Sequence, residues 1–428
     1  MNSDPLVIDV FTAGDASWIR VDSVGVNGVS RDPTKLDARA ADVPYVELKK
    51  RPLREGLVRE CGDKLCTSLM SNPGVLATLD RFQTPAADTR HPIYVSIGQP
   101  EHENLPWEAM WRKAVEFFAL GEHWPIARLA SAANDTRQVE RVIDDVPRIM
   151  AVIAAEDADV EGEWRGFEAL LQDFGGEIDM HVMVSSDRLK TQIEAVAGPR
   201  RVQCSYVGET AADVTQKIRT YAPNIIHFFC HGTSQNGGSL SVINRLHETV
   251  QLRSEDLLPL SQSESLCLVV LNCCLGGSAD PNDHAGSIAR ELVKAGLPAV
   301  VAMREIITDA AASVFTKAFY AELLTQLRAC LAANAGGDDE PIAVPDETWL
   351  GALFYARRAL KPDQPANALE WTLPLIYVRR GELLFKRRSH GDPRKVAKDD
   401  VLRSFHEGLL GHAGAEEFLK LVREKLNG

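Results

Sequence analysis

Two short stretches carry the residues that could do chemistry. NIIHFFCHGTSQ (224–235) ends an apolar run on Cys230-His231-Gly232, and LCLVVLNCCLGG (266–277) ends another on Cys273-Cys274 before glycines. A thiol becomes a useful nucleophile when its thiolate is populated, which a nearby imidazolium or helix N-terminus promotes. Cys274 lies just past one expected strand and shortly before a helix expected to begin near Ala285; His231 lies just past another strand, 43 residues earlier. If those strands are neighbours, both side chains stand over one edge of a sheet. Gly232 leaves a backbone N–H accessible to a substrate carbonyl, and with the N–H of Cys274 it would form a two-donor oxyanion hole. Such a set suits acyl transfer through a thioester, with the imidazole protonating the leaving amine and later activating water.

A metal site, a buried disulfide and plain coincidence compete with that reading. Zinc sites favour Cys-x-x-Cys or spaced histidine pairs, whereas here the pairs are adjacent, and adjacent strand residues face opposite ways. No metal is expected, nor any cofactor, since no Walker loop, dinucleotide fingerprint or Gly-x-Ser-x-Gly elbow occurs. Eight cysteines in 428 residues are too few for a disulfide scaffold. His227, Cys230 and Cys267 sit inside apolar runs and read as packing. Cys273 should point away from Cys274, into the sheet. Cys61 and Cys66 fall in LREGLVRECGDKLCTSLM, whose Leu57, Cys61, Leu65 and Leu69 make one helical stripe.

The elements that must position these corners follow a regular rhythm from Pro147. PRIMAVIAA, VQCSYVG, NIIHFFC, SLCLVVLNC, LPAVVAMR and LPLIYVRRG read as strands, the last taken as the closing one. EGEWRGFEALLQDFG, SSDRLKTQIEAVAG, ETAADVTQKIRTYA, AGSIARELVKAG and DAAASVFTKAFYAELLTQL read as helices. Continuous apolar strands alternating with helices imply a parallel sheet covered on both faces, with reactive groups on loops beyond the carboxyl ends of adjacent strands. Earlier in the chain PLVIDVF, SWIRVDSVGV, HPIYVSIG and WPIARLAS read as strands, and LPWEAMWRKAVEFFAL as a helix with Pro106 near its start. The loops 276–286 and 332–347 are acidic or rich in small residues, as lids, specificity loops or cleavage sites often are.

The net charge of −13, with only short basic clusters, argues against nucleic acid as a direct partner. No stretch reaches the roughly 20 apolar residues of a membrane span. MNSDPLVIDVF lacks a basic segment leading to a cleavage site, so a soluble cytoplasmic protein without membrane contact is expected.

HFFCHG followed by VVLNCCLGG resembles the CHAT domain (caspase HetF-associated with TPRs), a caspase-like family related to separase among the clan CD cysteine peptidases. LPWEAMW, LVKAGLPAVVAMREIITDAAASVFTKAFYAEL and EWTLPLIYVRRG resemble further elements of that family, so the similarity runs from about residue 86 to 385. The resemblance implies a caspase-like α/β three-layer sandwich with a mostly parallel central sheet. His231 matches the family's base, Cys274 its nucleophile and Gly232 its oxyanion-hole glycine. Cys273 stands where alanine is usual, and the register assigns the reaction to Cys274. In relatives that cut after Arg or Lys, the position two before the nucleophile is often acidic; here it is the neutral Asn272. Asp309 resembles an acidic position used toward a basic side chain, and it also reads as a helix N-cap.

The resemblance implies a cysteine endopeptidase that cuts a specific partner protein, as relatives in bacterial defence cut a gasdermin-like pore former or another effector. The alternative is a catalytically silent interaction module in a signalling assembly. The organisation expected is a mixed α/β extension over 1–85, a peptidase domain over 86–386 and a charged linker with a C-terminal helix over 387–428. Within the peptidase domain a degenerate first half runs to about 145 and the catalytic half covers 146–386. The N-terminal region or the C-terminal tail would dock an activator.

Overall fold

A computed structural model describes residues 5–21, 32–37, 56–81, 90–130, 138–196, 201–233, 239–273, 285–305, 307–333, 341–361, 369–379 and 382–388. Cys274, most of the 276–286 loop, the middle of the 332–347 loop and the tail beyond 388 lie outside the described residues.

In chain order the strands are β1 (Leu6–Ala13), β2 (Ala16–Val21), β3 (Thr34–Lys35), β4 (Ile93–Ile97), β5 (Ile126–Leu129), β6 (Arg148–Ile153), β7 (Asp179–Val184), β8 (Val202–Tyr206) and β9 (Ile225–Phe229). A three-stranded meander follows: β10 (His231–Thr233), β11 (Ser239–Ile243) and β12 (Thr249–Arg253). The chain then returns through β13 (Leu268–Leu271), β14 (Ala299–Met303) and β15 (Pro374–Val378). Among the described residues the central sheet has twelve strands, ordered β8-β7-β6-β9-β13-β14-β15-β5-β4-β1-β2-β3. From β8 to β14 every neighbouring pair is parallel. β15 runs antiparallel to β14 but parallel to β5, which continues parallel through β4 to β1. β2 and β3 add antiparallel strands, so the N-terminal segment extends the same sheet.

The main helices are α1 (Leu57–Met70), α2 (Pro73–Arg81), α3 (Val160–Phe174), α4 (Asp187–Val196), α5 (Ala211–Tyr221), α6 (Ala285–Lys294), α7 (Asp309–Ala333) and α8 (Glu347–Leu360). Because strand side chains alternate between faces, β9 and β13 divide their residues between two cores. Ile225, Phe229, Leu268 and Val270 join Trp164 and Phe167 of α3 and Phe315 and Phe319 of α7. Ile226, Phe228, Val269 and Leu271 join Val214 of α5, Ile288 of α6 and the inner side of the meander. The result is the three-layer α/β architecture with a mostly parallel sheet.

Several features differ from the sequence reading. The expected helix over 105–120 is a single 3-10 turn (Trp107–Ala109), two two-residue strands and a second turn (Phe118–Leu120). Trp107, Glu108, Ala109 and Met110 are all buried, whereas a surface helix would turn some of four successive residues outward. Glu108 instead grips Arg128 in two bonds of 2.9 and 2.8 Å, both side chains buried. Burial alone would raise the Glu108 carboxyl; Arg128, Arg304 and Arg357 outweigh it and hold it below the usual range. Gly62 in α1 lets that helix approach the same segment, since a Cβ there would lie 1.8 Å from the Ala109 carbonyl oxygen. The meander and helix α8 were not anticipated. Finally, β15 is not the last strand: Leu383–Arg387 pairs with Ile342–Val344 in a small separate sheet.

Candidate active site

The two corners lie on neighbouring parallel strands. β9 pairs with β13 as Ile225–Leu268, Ile226–Val269, His227–Val270 and Phe228–Leu271, a constant offset of 43 (268 − 225). The same offset separates Cys230 from Cys273, whose Sγ atoms meet at 3.6 Å. It also separates His231 from Cys274 in the sequence. Cys230 and Cys273 are both buried and belong to the core on the α5/α6 side, as alternation from Phe228 and Leu271 requires.

His231 is half-buried and opens β10, opposite Ser241; Gly232 follows, opposite Leu240. The imidazole Nε2 contacts the Glu156 carbonyl oxygen. A carbonyl can only accept, so Nε2 carries the hydrogen, leaving Nδ1 as the atom of the neutral ring that can take a proton. Glu156 belongs to the loop leaving β6, and the next residue, Asp157, has φ 54, in the left-handed region. A side chain there costs energy that the surrounding structure must offset. The same loop is tied to the end of β9 and to the meander: Ala154 N–H donates to Phe229 O at 2.9 Å and Ile243 N–H to Ala154 O at 3.1 Å. Residue types do not betray this carbonyl, because any residue could supply it.

Asn272 is fully buried, and its Nδ2 donates to Glu163 Oε1 (3.2 Å), Thr316 Oγ1 (3.1 Å) and the Ala312 carbonyl (3.4 Å). Its amide is thus a core tie between β13 and helices α3 and α7. Asp309 is the first residue of α7, and its Oδ2 accepts the Asp159 backbone N–H at 3.0 Å. The capping hydroxyl is that of Thr308, which accepts from Ala311 N–H at 3.3 Å. Asp159 in turn caps α3 through Gly162 N–H at 2.7 Å. Asp309 therefore joins the starts of two helices at the loop edge that also holds Glu156.

His227 is more than packing. Its Nε2 lies 2.8 Å from Glu163 Oε1 and its Nδ1 3.2 Å from the Tyr320 hydroxyl, with both partners fully buried. Burial pushes the Cys61, Cys66 and Cys267 thiols up to about 12, so these cysteines are poor nucleophiles near neutral pH. Among the described residues, no group of three or more His, Cys, Asp or Glu side chains is arranged to hold a metal ion. No described helix is long and apolar enough to cross a membrane.

Residues 59–335 match the CHAT domain family. The chain belongs to that family. No curated protein matches its sequence significantly. Among solved structures it is similar to Saccharomyces cerevisiae separase in its complex with securin, at 11% identity and a TM-score of 0.36, over 82% of this chain and 21% of that one. It is also similar to the complex of Porphyromonas gingivalis RgpB pro- and mature domains, at 11% identity and a TM-score of 0.41, over 81% of this chain and 77% of that one. The chain spans about a fifth of the separase chain it matches.

Proposed function

We infer that this chain is a cysteine endopeptidase in which Cys274 attacks the scissile carbonyl and His231 handles the protons. The observation that carries this reading is the β9–β13 register, whose constant offset of 43 is also the spacing of His231 and Cys274. The Cys274 thiolate would add to the carbonyl carbon, with the Gly232 and Cys274 N–H groups receiving the oxyanion. His231 Nδ1–H would protonate the departing amine, leaving a thioester. The neutral ring would then take a proton from water as its oxygen attacks, and collapse would release the acid and restore the thiol.

The substrate we propose is a specific partner protein, cut when an activator docks on the N-terminal region or C-terminal tail, in a bacterial defence role such as releasing a pore former. A basic side chain before the scissile bond is the favoured specificity. Asp309 would face it, supported by the exposed Glu156 and Asp157 on the adjoining loop. The test is cleavage of candidate partners, beginning with products of neighbouring genes, followed by gel and N-terminal sequencing of fragments. Cys274→Ala and His231→Ala should each lower the rate by about a thousandfold or more. Equal cutting by either variant sinks the dyad; binding without cleavage by the parent favours an interaction module.

A further inference from the structure

Beneath the two corners, on the α3/α7 side of the sheet, lies a closed polar cluster in an otherwise apolar core. Glu163, His227, Asn272, Thr316 and Tyr320 are all buried. Glu163 Oε1 receives Asn272 Nδ2 at 3.2 Å and the Thr316 hydroxyl, and His227 Nε2 lies 2.8 Å away. The Tyr320 hydroxyl sits 3.2 Å from His227 Nδ1, and Phe167 meets the imidazole edge-on with centroids 5.0 Å apart. Burial first, and then the charge of Glu163, push the Tyr320 hydroxyl far above its ordinary range, so it stays a phenol and donates. Nδ1 then accepts, which leaves the hydrogen of the neutral ring on Nε2, 2.8 Å from Glu163 Oε1 but outside hydrogen-bond geometry.

Stability does not account for this cluster. Apolar side chains of similar volume would serve a core as well or better than a buried charge. Three buried polar atoms of the cluster, Glu163 Oε2, Asn272 Oδ1 and His227 Nε2, lack a hydrogen-bond partner among the described residues. What the cluster does supply is location, since directed bonds fix positions that apolar contacts leave free to slide. His227 lies four residues before His231, and Asn272 two before Cys274. Glu163 Oε1 on α3 receives Asn272 Nδ2 and lies 2.8 Å from His227 Nε2, and Thr316 on α7 braces it.

We propose that Glu163 and Asn272 are positioning residues that lock the ends of β9 and β13 together, so that His231 and Cys274 are presented in one fixed relation. This rests on the dyad reading above. The test is the rate at which iodoacetamide alkylates Cys274, followed by peptide mass mapping across pH, beside thermal unfolding of the same proteins. The parent should react with a pH midpoint below the ordinary thiol value of about 8.5. Asn272→Leu and Glu163→Gln should react about tenfold to a hundredfold more slowly at neutral pH, with the midpoint moved up toward that value. Thr316→Val, which keeps shape and removes one bond, should move the profile the same way by less, and it serves if the other two fail to fold.

A parent-like profile in the folded variants, whatever their melting temperature, overturns the positioning role. His231→Ala separates the two readings. If it leaves the parent's alkylation unchanged, the dyad falls and this inference with it. If it slows alkylation while the Asn272 and Glu163 variants do not, the positioning role alone falls.

Discussion

The thiols of Cys230 and Cys273 touch at 3.6 Å across two adjacent parallel strands, buried on the face of the sheet opposite Asn272. Their contact places Cys273 in packing. Cys273→Ala should therefore cost about 1 kcal/mol of stability through lost contacts, with cleavage close to the parent's. Cys274→Ala should abolish cleavage with little change in stability. Urea unfolding and a cleavage assay on both variants decide which thiol reacts; loss of cleavage in Cys273→Ala alone would reverse the assignment.

The Glu156 carbonyl that receives His231 Nε2–H is followed by a left-handed residue, Asp157. Asp157→Gly should leave cleavage intact and gain about 1 kcal/mol, because glycine adopts that backbone without the Cβ conflict. Asp157→Val should lose about 1–2 kcal/mol and slow cleavage as the carbonyl turns. Denaturant midpoints and initial rates measure the two effects; a faster Val variant would contradict the orientation role.

Glu108→Gln removes the carboxylate that Arg128 grips while leaving the guanidinium buried. A buried charge without its partner costs about 3–5 kcal/mol. The variant should unfold at much lower urea, and an unchanged midpoint would show that the pair adds nothing.

Two groups should tilt the pH dependence of stability in opposite directions. Burial, reinforced by Lys217 and Arg148, pushes the His181 imidazole down to about 4, so its contribution is full above its unfolded value and is lost as pH falls toward 4. Burial pushes the Asp346 carboxyl up to about 7 against the Tyr94 hydrogen bond, so its contribution is full at low pH and is lost as pH rises toward 7. His181→Gln should flatten the acid side of a melting-temperature profile. Asp346→Asn should gain on the parent increasingly from pH 4 to 7. Profiles parallel to the parent's in both variants would remove these groups from the pH response.

Most of the parallel sheet was legible because strands buried on both faces must read as unbroken apolar runs, as PRIMAVIAA and LCLVVLNC do. The α1 stripe of Leu57, Cys61, Leu65 and Leu69 was legible for the matching reason at helical period, and all four are buried. The meander carried a signal that went unread: Leu240, Val242, Val250 and Leu252 alternate around the Asn244 turn. The 105–120 segment misleads because its apolar spacing suits a helix, while the partner of its Glu108, Arg128, lies on β5. Glu163 was hidden more deeply. Inside EGEWRGFEALLQ it looks like one more exposed helical carboxylate, and only the meeting of β9, α7 and the end of β13 turns it inward.

A single residue, Cys230, joins β9 to β10. One residue offers two soft torsions, and its buried side chain leaves little freedom in either. The meander therefore has no slack with which to swing independently of the imidazole that begins it. A protein gripping the β10–β12 face would act as a torque wrench on His231, and turning that face by a few degrees would steer the ring toward or away from the Glu156 carbonyl.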